Sequence, residues 1–164
     1  MAASLYRDVV GSAAWDSLPR PIHQLHDCGG DGTLIVTSRG LARVASLLGF
    51  APSPGTVPVS LRIERSEGAE TWIRKFHDET FATAQRVVRG LIAERFGAFE
   101  VRFRVSARGN SLHFEMTAVR LFGLPLPSML LPRMEAQERA DGTRVHVSIN
   151  VGKSFGYTGH IQPR

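Results

Sequence analysis

Two arginines of this sequence lie among alternating apolar residues, where a charged side chain has chemical consequences. Trp72, Arg74 and Phe76 occupy every second position of a predicted strand and therefore share one face. Because large aromatic side chains bury the most area, we expect this face to point inward, with the guanidinium between two rings. A buried guanidinium keeps its proton and needs a carboxylate, a ligand anion or water beside it. Arg74 is therefore a candidate catalytic residue, and Trp72 and Phe76 are candidate substrate-binding residues.

A second predicted strand repeats this pattern between residues 111 and 121. Its apolar face consists of Leu112, Phe114, Met116 and Ala118. Strict alternation continues this face onto Arg120, which predicts a second inward guanidinium. Arg120 is therefore a second candidate catalytic residue, and Phe114 and Met116 are candidate substrate-binding residues.

Two acidic residues are available as partners for these arginines. Glu94 and Glu138 both lie in predicted strands. One interpretation is a purely structural pairing of arginine with carboxylate. The other is that an arginine holds a substrate carboxylate or enolate through two parallel hydrogen bonds. The sequence leaves both open, so Glu94 is a candidate catalytic residue and Glu138 a candidate substrate-binding residue.

Three further polar side chains are candidate functional residues. Gln85 shares one strand face with Phe81, Thr83 and Val87, which predicts an internal amide that either orients a ligand or satisfies a neighbouring buried group. Tyr157, in the last predicted strand, is a candidate substrate-binding residue. His26 has the chemistry of a general base, but a histidine at a strand entry is more often a cap or turn residue.

Other kinds of site lack the residues they need. The six histidines show no His-x-His or His-x-x-x-His spacing, so we expect no metal. No Gly-x-Ser-x-Gly motif is present, and Cys28, the only cysteine, lies in a glycine-rich stretch with only His26 close in sequence. The glycines at positions 29, 30 and 32 precede a strand instead of a helix, so they do not form a dinucleotide loop. We therefore expect no cofactor.

The candidates lie on short alternating segments separated by turn residues, a pattern typical of antiparallel sheets. Glu67-Gly68, Arg108-Gly109-Asn110 and Asp141-Gly142 provide hairpin turns. After a short strand at 33–38, the predicted strands cover residues 57–65, 70–77, 81–90, 91–106, 111–121, 133–139, 143–151 and 157–161. A meander of about eight strands hides its edges by closing. The predicted fold is therefore mainly β with a minor α+β part, a lipocalin-like or similar antiparallel β-barrel.

Two helices accompany the predicted barrel. Apolar residues at helical spacing predict a helix from residue 3 to about 18, which Pro19 and Pro21 end. We expect this helix to lie against the barrel as a lid or plug. A second short helix is predicted at 41–50, and the proline-rich residues 123–132 are predicted to form a loop across one rim. The whole chain, 1–164, is predicted to be a single barrel domain, with its N-terminal helix within residues 1–20.

Composition places the chain among ordinary soluble proteins. Its 164 residues, 43% of them hydrophobic and 21% charged, are typical of one domain. The longest apolar run, residues 121–131, is too short and too interrupted for a membrane span, and the first residues do not resemble a secretory signal, so we expect a cytoplasmic protein. The net charge of +5 comes from scattered arginines, which argues against a nucleic-acid partner. We expect the chain to act alone or as a homodimer.

Several motifs in this order are fairly specific. They are His26, the run from Gly32 to Gly40, Pro58-Val59, Trp72-Ile-Arg74-Lys-Phe76, Gln85, Glu94-Arg95-Phe96-Gly97, Arg120-Leu-Phe-Gly123-Leu-Pro125-Leu-Pro127, Glu138 and Gly156-Tyr157-Thr-Gly159. On these residues the chain resembles the bacterial domain-of-unknown-function family 4166, found alone or fused to oxidoreductase-like chains. The resemblance implies a shared fold and carries no established reaction. Residues 151–155 depart from the family's usual apolar, proline-containing segment.

Three functions are compatible with these observations. The first is a cofactor-free barrel enzyme, a cyclase, isomerase or lyase, that acts on an apolar bacterial metabolite of specialised biosynthesis, because such a reaction needs a shaped cavity and few polar groups. The second is a non-catalytic carrier or sensor of a lipid-like ligand. The third is a structural partner domain of an oxidoreductase, with its interior packed solid.

Overall fold

The N-terminal region forms three short helices. The computed structural model describes residues 4–38, 54–77 and 79–164, so the helix predicted at 41–50 lies outside the described residues. The helices are α1 (Leu5–Val10), α2 (Ser12–Asp16) and α3 (Arg20–Cys28). The single helix predicted up to Pro19 is divided at Gly11, whose φ is 86°. Pro19 and Pro21 do not end a helix but begin α3, because the first turn of a helix tolerates proline.

The strands cover most of the remaining described residues. They are β1 (Gly30–Ser38), β2 (Gly55–Ser66), β3 (Ala69–Phe76), β4 (Glu79–Val88), β5 (Leu91–Phe96), β6 (Phe99–Arg108), β7 (Ser111–Leu121), β8 (Leu124–Pro125), β9 (Met134–Asp141), β10 (Arg144–Val151) and β11 (Phe155–Pro163). A short 3₁₀ helix, Ser128–Leu130, lies in the proline-rich loop between β8 and β9. The hairpin turns predicted at 67–68, 108–110 and 141–142 are present, and the structure places the last two at 109–110 and 142–143.

The strands pair antiparallel and close into a ring. Each strand from β1 to β6 pairs with the one that follows it in the chain, and β7 pairs with β9. The ring is completed because β9 pairs with β10, β10 with β11, and β11 with β1. The prediction of a closed, mainly β barrel is confirmed. The ring formed by the described residues contains ten strands instead of about eight, and β8 pairs only with the end of β7.

One predicted strand is in fact two. Residues 91–106 form β5 and β6, which are joined by a tight turn at Gly97. This glycine has a φ of 56°, in the left-handed region that a continuous strand cannot accommodate. The apolar Phe96 and Phe99 flank the turn, so the hydrophobic pattern continues across it without interruption.

A register shift between β6 and β7 reverses the alternation of side chains along β7. Met116 lies opposite Phe103, and Ala118 lies opposite Arg102. Thr117 is therefore an extra residue on β7, as in a β-bulge, and the side chains that follow it point to the other face.

This reversal moves Arg120 to the outside of the barrel. Val119, not Arg120, is buried in the core, with 8% of its surface exposed. Arg120 lies on the outer face, opposite Glu100 of β6. The prediction of an inward Arg120 is therefore wrong, because strict alternation does not survive the insertion of one residue.

The helices close one end of the ring. α1 contacts β4, β5 and β6, while α3 contacts β2, β9, β10 and β11. Helices that touch strands on opposite sides of a barrel must lie across its opening. Their apolar side chains complete the core, and Tyr6, Trp15, Ile22 and Leu25 are all buried. Among the described residues, no helix is long and apolar enough to cross a membrane.

Candidate functional site

A cavity of about 80 Å³ lies inside the barrel. Its walls are mainly apolar and come from both the strands and the helices. They include Leu25 of α3, Leu34 of β1, Leu61 of β2, Phe103 of β6, Val147 of β10 and Ile161 of β11. A space of this size holds several water molecules or a small organic molecule. The interior is therefore hollow.

A cluster of three polar side chains lies at the wall where β3, β4 and β5 are neighbours. The Arg74 guanidinium donates from Nη1 to Thr83 Oγ1 at 2.9 Å and from Nη2 to Glu94 Oε1 at 3.1 Å. The Thr83 hydroxyl donates to the same Glu94 oxygen at 2.6 Å. The Arg74 guanidinium also lies 5.2 Å from the centre of the Trp72 ring. Burial is the largest single influence on the pKa of Arg74 and lowers it, but attraction to Glu94, Tyr157 and Tyr6 together with the hydrogen bond to Glu94 raises the pKa overall, so the guanidinium stays charged.

A second polar group connects the N-terminal helices to the interior. The Tyr6 hydroxyl of α1 donates to Gln85 Oε1 at 2.7 Å, and both residues line the cavity. The adjacent Leu5 N–H donates to Glu70 Oε1 at 3.0 Å. Glu70 is only 1% exposed and also accepts from the indole Nε1 of Trp72 at 3.1 Å. The helix end is thus held by side chains of the barrel interior.

A third polar pair lies between α3 and β9. His26 Nε2 and Glu138 Oε2 are 2.7 Å apart, and the His26 side chain is fully buried. Its ring packs against Tyr6, Trp15 and Trp72, with ring centres 4.4 to 5.4 Å away. His26 Nδ1 has no hydrogen-bond partner among the described residues. The expectation of a cap or turn residue is wrong, since His26 lies in the last turn of a helix and inside the core.

The structure brings most of the predicted site residues to one cavity. Those that line it are Trp72, Arg74, Phe76, Gln85, Glu94, Phe114, Glu138 and Tyr157. Met116 packs against the core without lining the cavity, and Arg120 lies outside. Glu94 pairs with Arg74, as one of the two interpretations required, whereas Glu138 pairs with His26 and not with an arginine. The catalytic and binding roles of these residues stay predictions.

The sequence analysis did not predict a role for Tyr6, and it did not predict that His26 is buried. Tyr6 lies in a segment whose helical pattern was recognised, but nothing local indicates that its hydroxyl reaches Gln85, 79 residues away. The burial of His26 has a detectable signal, because Ile22, Leu25 and His26 lie on one face of a helix. This spacing predicts a buried His26 only if a helix begins after Pro19, whereas Pro19 was interpreted as the end of one.

Both tyrosines of the chain are expected to resist ionisation in the folded state. Burial, followed by the charges of Glu94, Glu138 and Glu70, raises the pKa of Tyr6 well above 10.0. Burial is also the main cause that raises the pKa of Tyr157 to about 12. The chain has only Tyr6 and Tyr157, so ultraviolet absorbance of tyrosinate against pH should show no step near pH 10 while circular dichroism remains native.

The same shifts have a consequence for stability. An unfolded chain ionises its tyrosines near pH 10, whereas the folded chain keeps them protonated. The free energy of unfolding should therefore have its full value below pH 10 and should fall as the pH rises toward 12. Tyr157→Phe is the control, because it should remove the absorbance step assigned to Tyr157. A native protein with a full tyrosinate step near pH 10 would contradict the buried placement of both rings.

The fold and site define a class: a closed antiparallel barrel with helices across one end and a small, mainly apolar cavity with three internally paired polar groups. The chain belongs to the family described as Domain of unknown function (DUF4166), which matches residues 19–161. The resemblance found in the sequence is therefore confirmed. No curated protein sequence matches the chain.

Several solved structures are similar in backbone structure to this chain. Fatty-acid-binding protein 1 of Echinococcus granulosus is 12% identical, with a TM-score of 0.45 over 82% of this chain and 96% of that one. A fatty acid transporter titled REP1-NXSQ is 10% identical, with a TM-score of 0.45 over 81% and 93% of the two chains. Secretory abundant heat soluble protein 4 of Ramazzottius varieornatus is 11% identical, with a TM-score of 0.47 over 82% and 94%.

Proposed function

We propose that this protein is a carrier or sensor that binds a small, mainly apolar molecule inside its barrel. The observation that carries the proposal is a cavity with apolar walls whose charged side chains already have partners within the protein. Apolar walls supply binding energy through area removed from water, and a few fixed polar groups supply orientation.

The polar groups favour binding over catalysis. Arg74 is held by Thr83 and Glu94, and Gln85 is held by the Tyr6 hydroxyl. A group that stabilises a transition state must be free to interact more strongly with it than with the substrate. Groups that are already paired with each other lose those hydrogen bonds when they turn to a substrate. The geometry therefore supports the carrier hypothesis better than the enzyme hypothesis.

The cavity also bears on the remaining hypotheses. A purely structural partner domain requires an interior packed solid, and the 80 Å³ space argues against it. A cofactor-free cyclase or isomerase is the second candidate, and one observation favours it. Glu138 lines the cavity with one oxygen on His26, while no described residue donates a hydrogen bond to the other oxygen. That oxygen has the chemistry of a general base.

Phe114→Trp is expected to weaken binding by about tenfold or more, because the larger ring fills the cavity that the ligand needs. The probe is 1-hexanol, and its affinity is measured by isothermal titration calorimetry. Phe122→Trp is the matched control: the same change is made at a residue that is 81% exposed and does not line the cavity. It should bind the probe as the unmodified protein does.

Two results would contradict the proposal. One is the absence of binding by the unmodified protein to any small apolar probe. The other is equal affinity of the Phe114→Trp and Phe122→Trp variants, which would place the probe outside the barrel. Chemical conversion of a bound molecule by the unmodified protein would favour the enzyme instead.

A further inference from the structure

We propose that the cavity is selective for ligands whose polar end is a neutral or cationic hydrogen-bond donor, an alcohol or an amine, and that it excludes carboxylates. This inference rests on the proposed binding function and names the ligand class. It follows from the balance of charges and of hydrogen-bond acceptors at the cavity wall.

A carboxylate ligand would need a cation at the cavity wall. Among the described residues, Arg74 is the one arginine or lysine at the cavity wall, and its guanidinium is already bound to Glu94 and Thr83. The side chains of Arg74 and Glu94 are only 20% and 15% exposed. A ligand carboxylate would have to displace Glu94 and leave it buried without a cation, which is costly. The site therefore opposes a second anion.

The other carboxylate at the cavity wall belongs to Glu138. Glu138 accepts a hydrogen bond from His26 Nε2, while His26 Nδ1 has no partner. No arginine or lysine among the described residues pairs with Glu138. Its carboxylate is therefore a second acidic group at the cavity wall, and a ligand carboxylate would find no free cation beside it.

The cavity wall offers a ligand more hydrogen-bond acceptors and negative charges than cations. The charged side chains at the cavity wall are one guanidinium and two carboxylates. In each of Glu94 and Glu138, one carboxylate oxygen accepts no hydrogen bond from any described residue. These free positions are acceptors, so they match a hydroxyl or an ammonium group and repel an anion.

The surroundings of Tyr6 contain the same excess of negative charge. After burial, the causes that raise the pKa of Tyr6 are Glu94, Glu138 and Glu70, and only Arg74 opposes them. Beside these three carboxylates an ammonium group would be attracted and a further carboxylate would be repelled.

A matched set of hexyl compounds tests the inference. Hexylamine, 1-hexanol and hexanoate share one apolar chain and differ in the charge of the polar end. Isothermal titration calorimetry at pH 7 should show that hexylamine and 1-hexanol bind the unmodified protein and that hexanoate binds about tenfold or more weakly. Hexanoate that binds as tightly as 1-hexanol overturns the inference but leaves the binding function standing. If none of the three binds, the proposed function itself fails and the inference falls with it.

Glu94→Gln makes the test specific to the site. The substitution preserves shape, removes the partner charge of Arg74 and frees the guanidinium for a ligand carboxylate. Hexanoate should then bind about tenfold more tightly than to the unmodified protein, and hexylamine more weakly. Glu115→Gln is the matched control, since Glu115 is 67% exposed and pairs with Arg104 outside the cavity. It should change none of the three affinities, and equal effects of both variants would overturn the inference.

A second variant covers the case in which Glu94→Gln does not fold. Glu138→Gln removes the other charge of the cavity wall and retains an amide oxygen that can accept from His26. Hexylamine should bind several-fold more weakly while 1-hexanol is unaffected. Unchanged hexylamine affinity in this variant overturns the assignment of Glu138 as a determinant of ligand class.

Discussion

Replacing Gly159 by alanine is expected to abolish the folded barrel. Gly159 pairs with Leu34 of β1 and Val147 of β10, at the centre of the last strand. A Cβ at this position would lie 2.1 Å from the carbonyl oxygen of Thr33 and 2.9 Å from the Cα of Leu34. Both are backbone atoms of the neighbouring strand, so β1 and β11 would have to separate. Because this pair closes the ring, the loss exceeds that of an ordinary substitution.

Gly68→Ala is the control for this prediction. Gly68 lies in the β2–β3 turn with a φ of 71°, and nothing lies within 4 Å of the added Cβ. Alanine there should cost only about 1–2 kcal/mol of backbone strain. Soluble yield, far-ultraviolet circular dichroism and urea unfolding distinguish the two variants. A Gly159→Ala protein that unfolds cooperatively at the urea concentration of the unmodified protein would show that the strands tolerate the added methyl group.

Gly159 also shows what local sequence patterns cannot reveal. The run Gly156-Tyr157-Thr-Gly159 supports the family resemblance, but the sequence gives no reason for a glycine inside a strand. The structure provides that reason. Gly32 stands in the same relation to β11 as Gly159 does to β1, with an added Cβ 2.1 Å from the carbonyl oxygen of His160. Close approach of two strands distant in the chain is a property of the closed ring, not of either strand.

The fold was predictable where local physics determines it. Alternation of apolar residues and glycine-containing turns correctly predicted most of the hairpins. The errors arose where two local signals conflict. Phe96 and Phe99 continue the hydrophobic pattern across the turn at Gly97, so two strands were predicted as one. Pro19 and Pro21 were interpreted as helix-ending residues, although proline is equally suited to the first turn of a helix.

The candidate site was predictable to the extent that it follows alternation within regular strands. Trp72, Arg74 and Phe76 lie in β3 without a bulge, and all three reach the cavity. Arg120 follows a bulge that no nearby residue type predicts, and it points outward. The pairing of His26 with Glu138 joins residues 112 positions apart, which only the closed ring brings together. Side-chain pairs of this kind depend on the topology of the whole barrel, so local sequence patterns do not predict them.

Glu70 gives the second large expected effect, because one carboxylate holds together parts of the molecule that are far apart in sequence. It accepts hydrogen bonds from the Leu5 N–H, the Trp72 indole and the Arg65 guanidinium, at 3.0 to 3.2 Å. Arg65 also donates to the backbone carbonyl of His26 in α3. Glu70 therefore attaches α1 to β3 directly, and it also holds the Arg65 side chain of β2 that contacts α3.

Glu70→Ala is expected to lower the free energy of unfolding by about 3–5 kcal/mol, because it leaves three largely buried donors, the Leu5 N–H, the Trp72 indole and the Arg65 Nε, without their acceptor. Glu64→Ala, on the adjacent strand, removes a carboxylate that is 54% exposed and paired with Arg62, and should cost no more than about 1 kcal/mol. Urea unfolding measures both. Hydrogen exchange of the Leu5 amide provides the local readout: if Glu70 holds α1 over the cavity, Glu70→Ala accelerates exchange there before the barrel unfolds. Equal exchange in the two variants would mean that apolar packing and the hydrogen bond from Tyr6 to Gln85 hold α1 in place without this carboxylate.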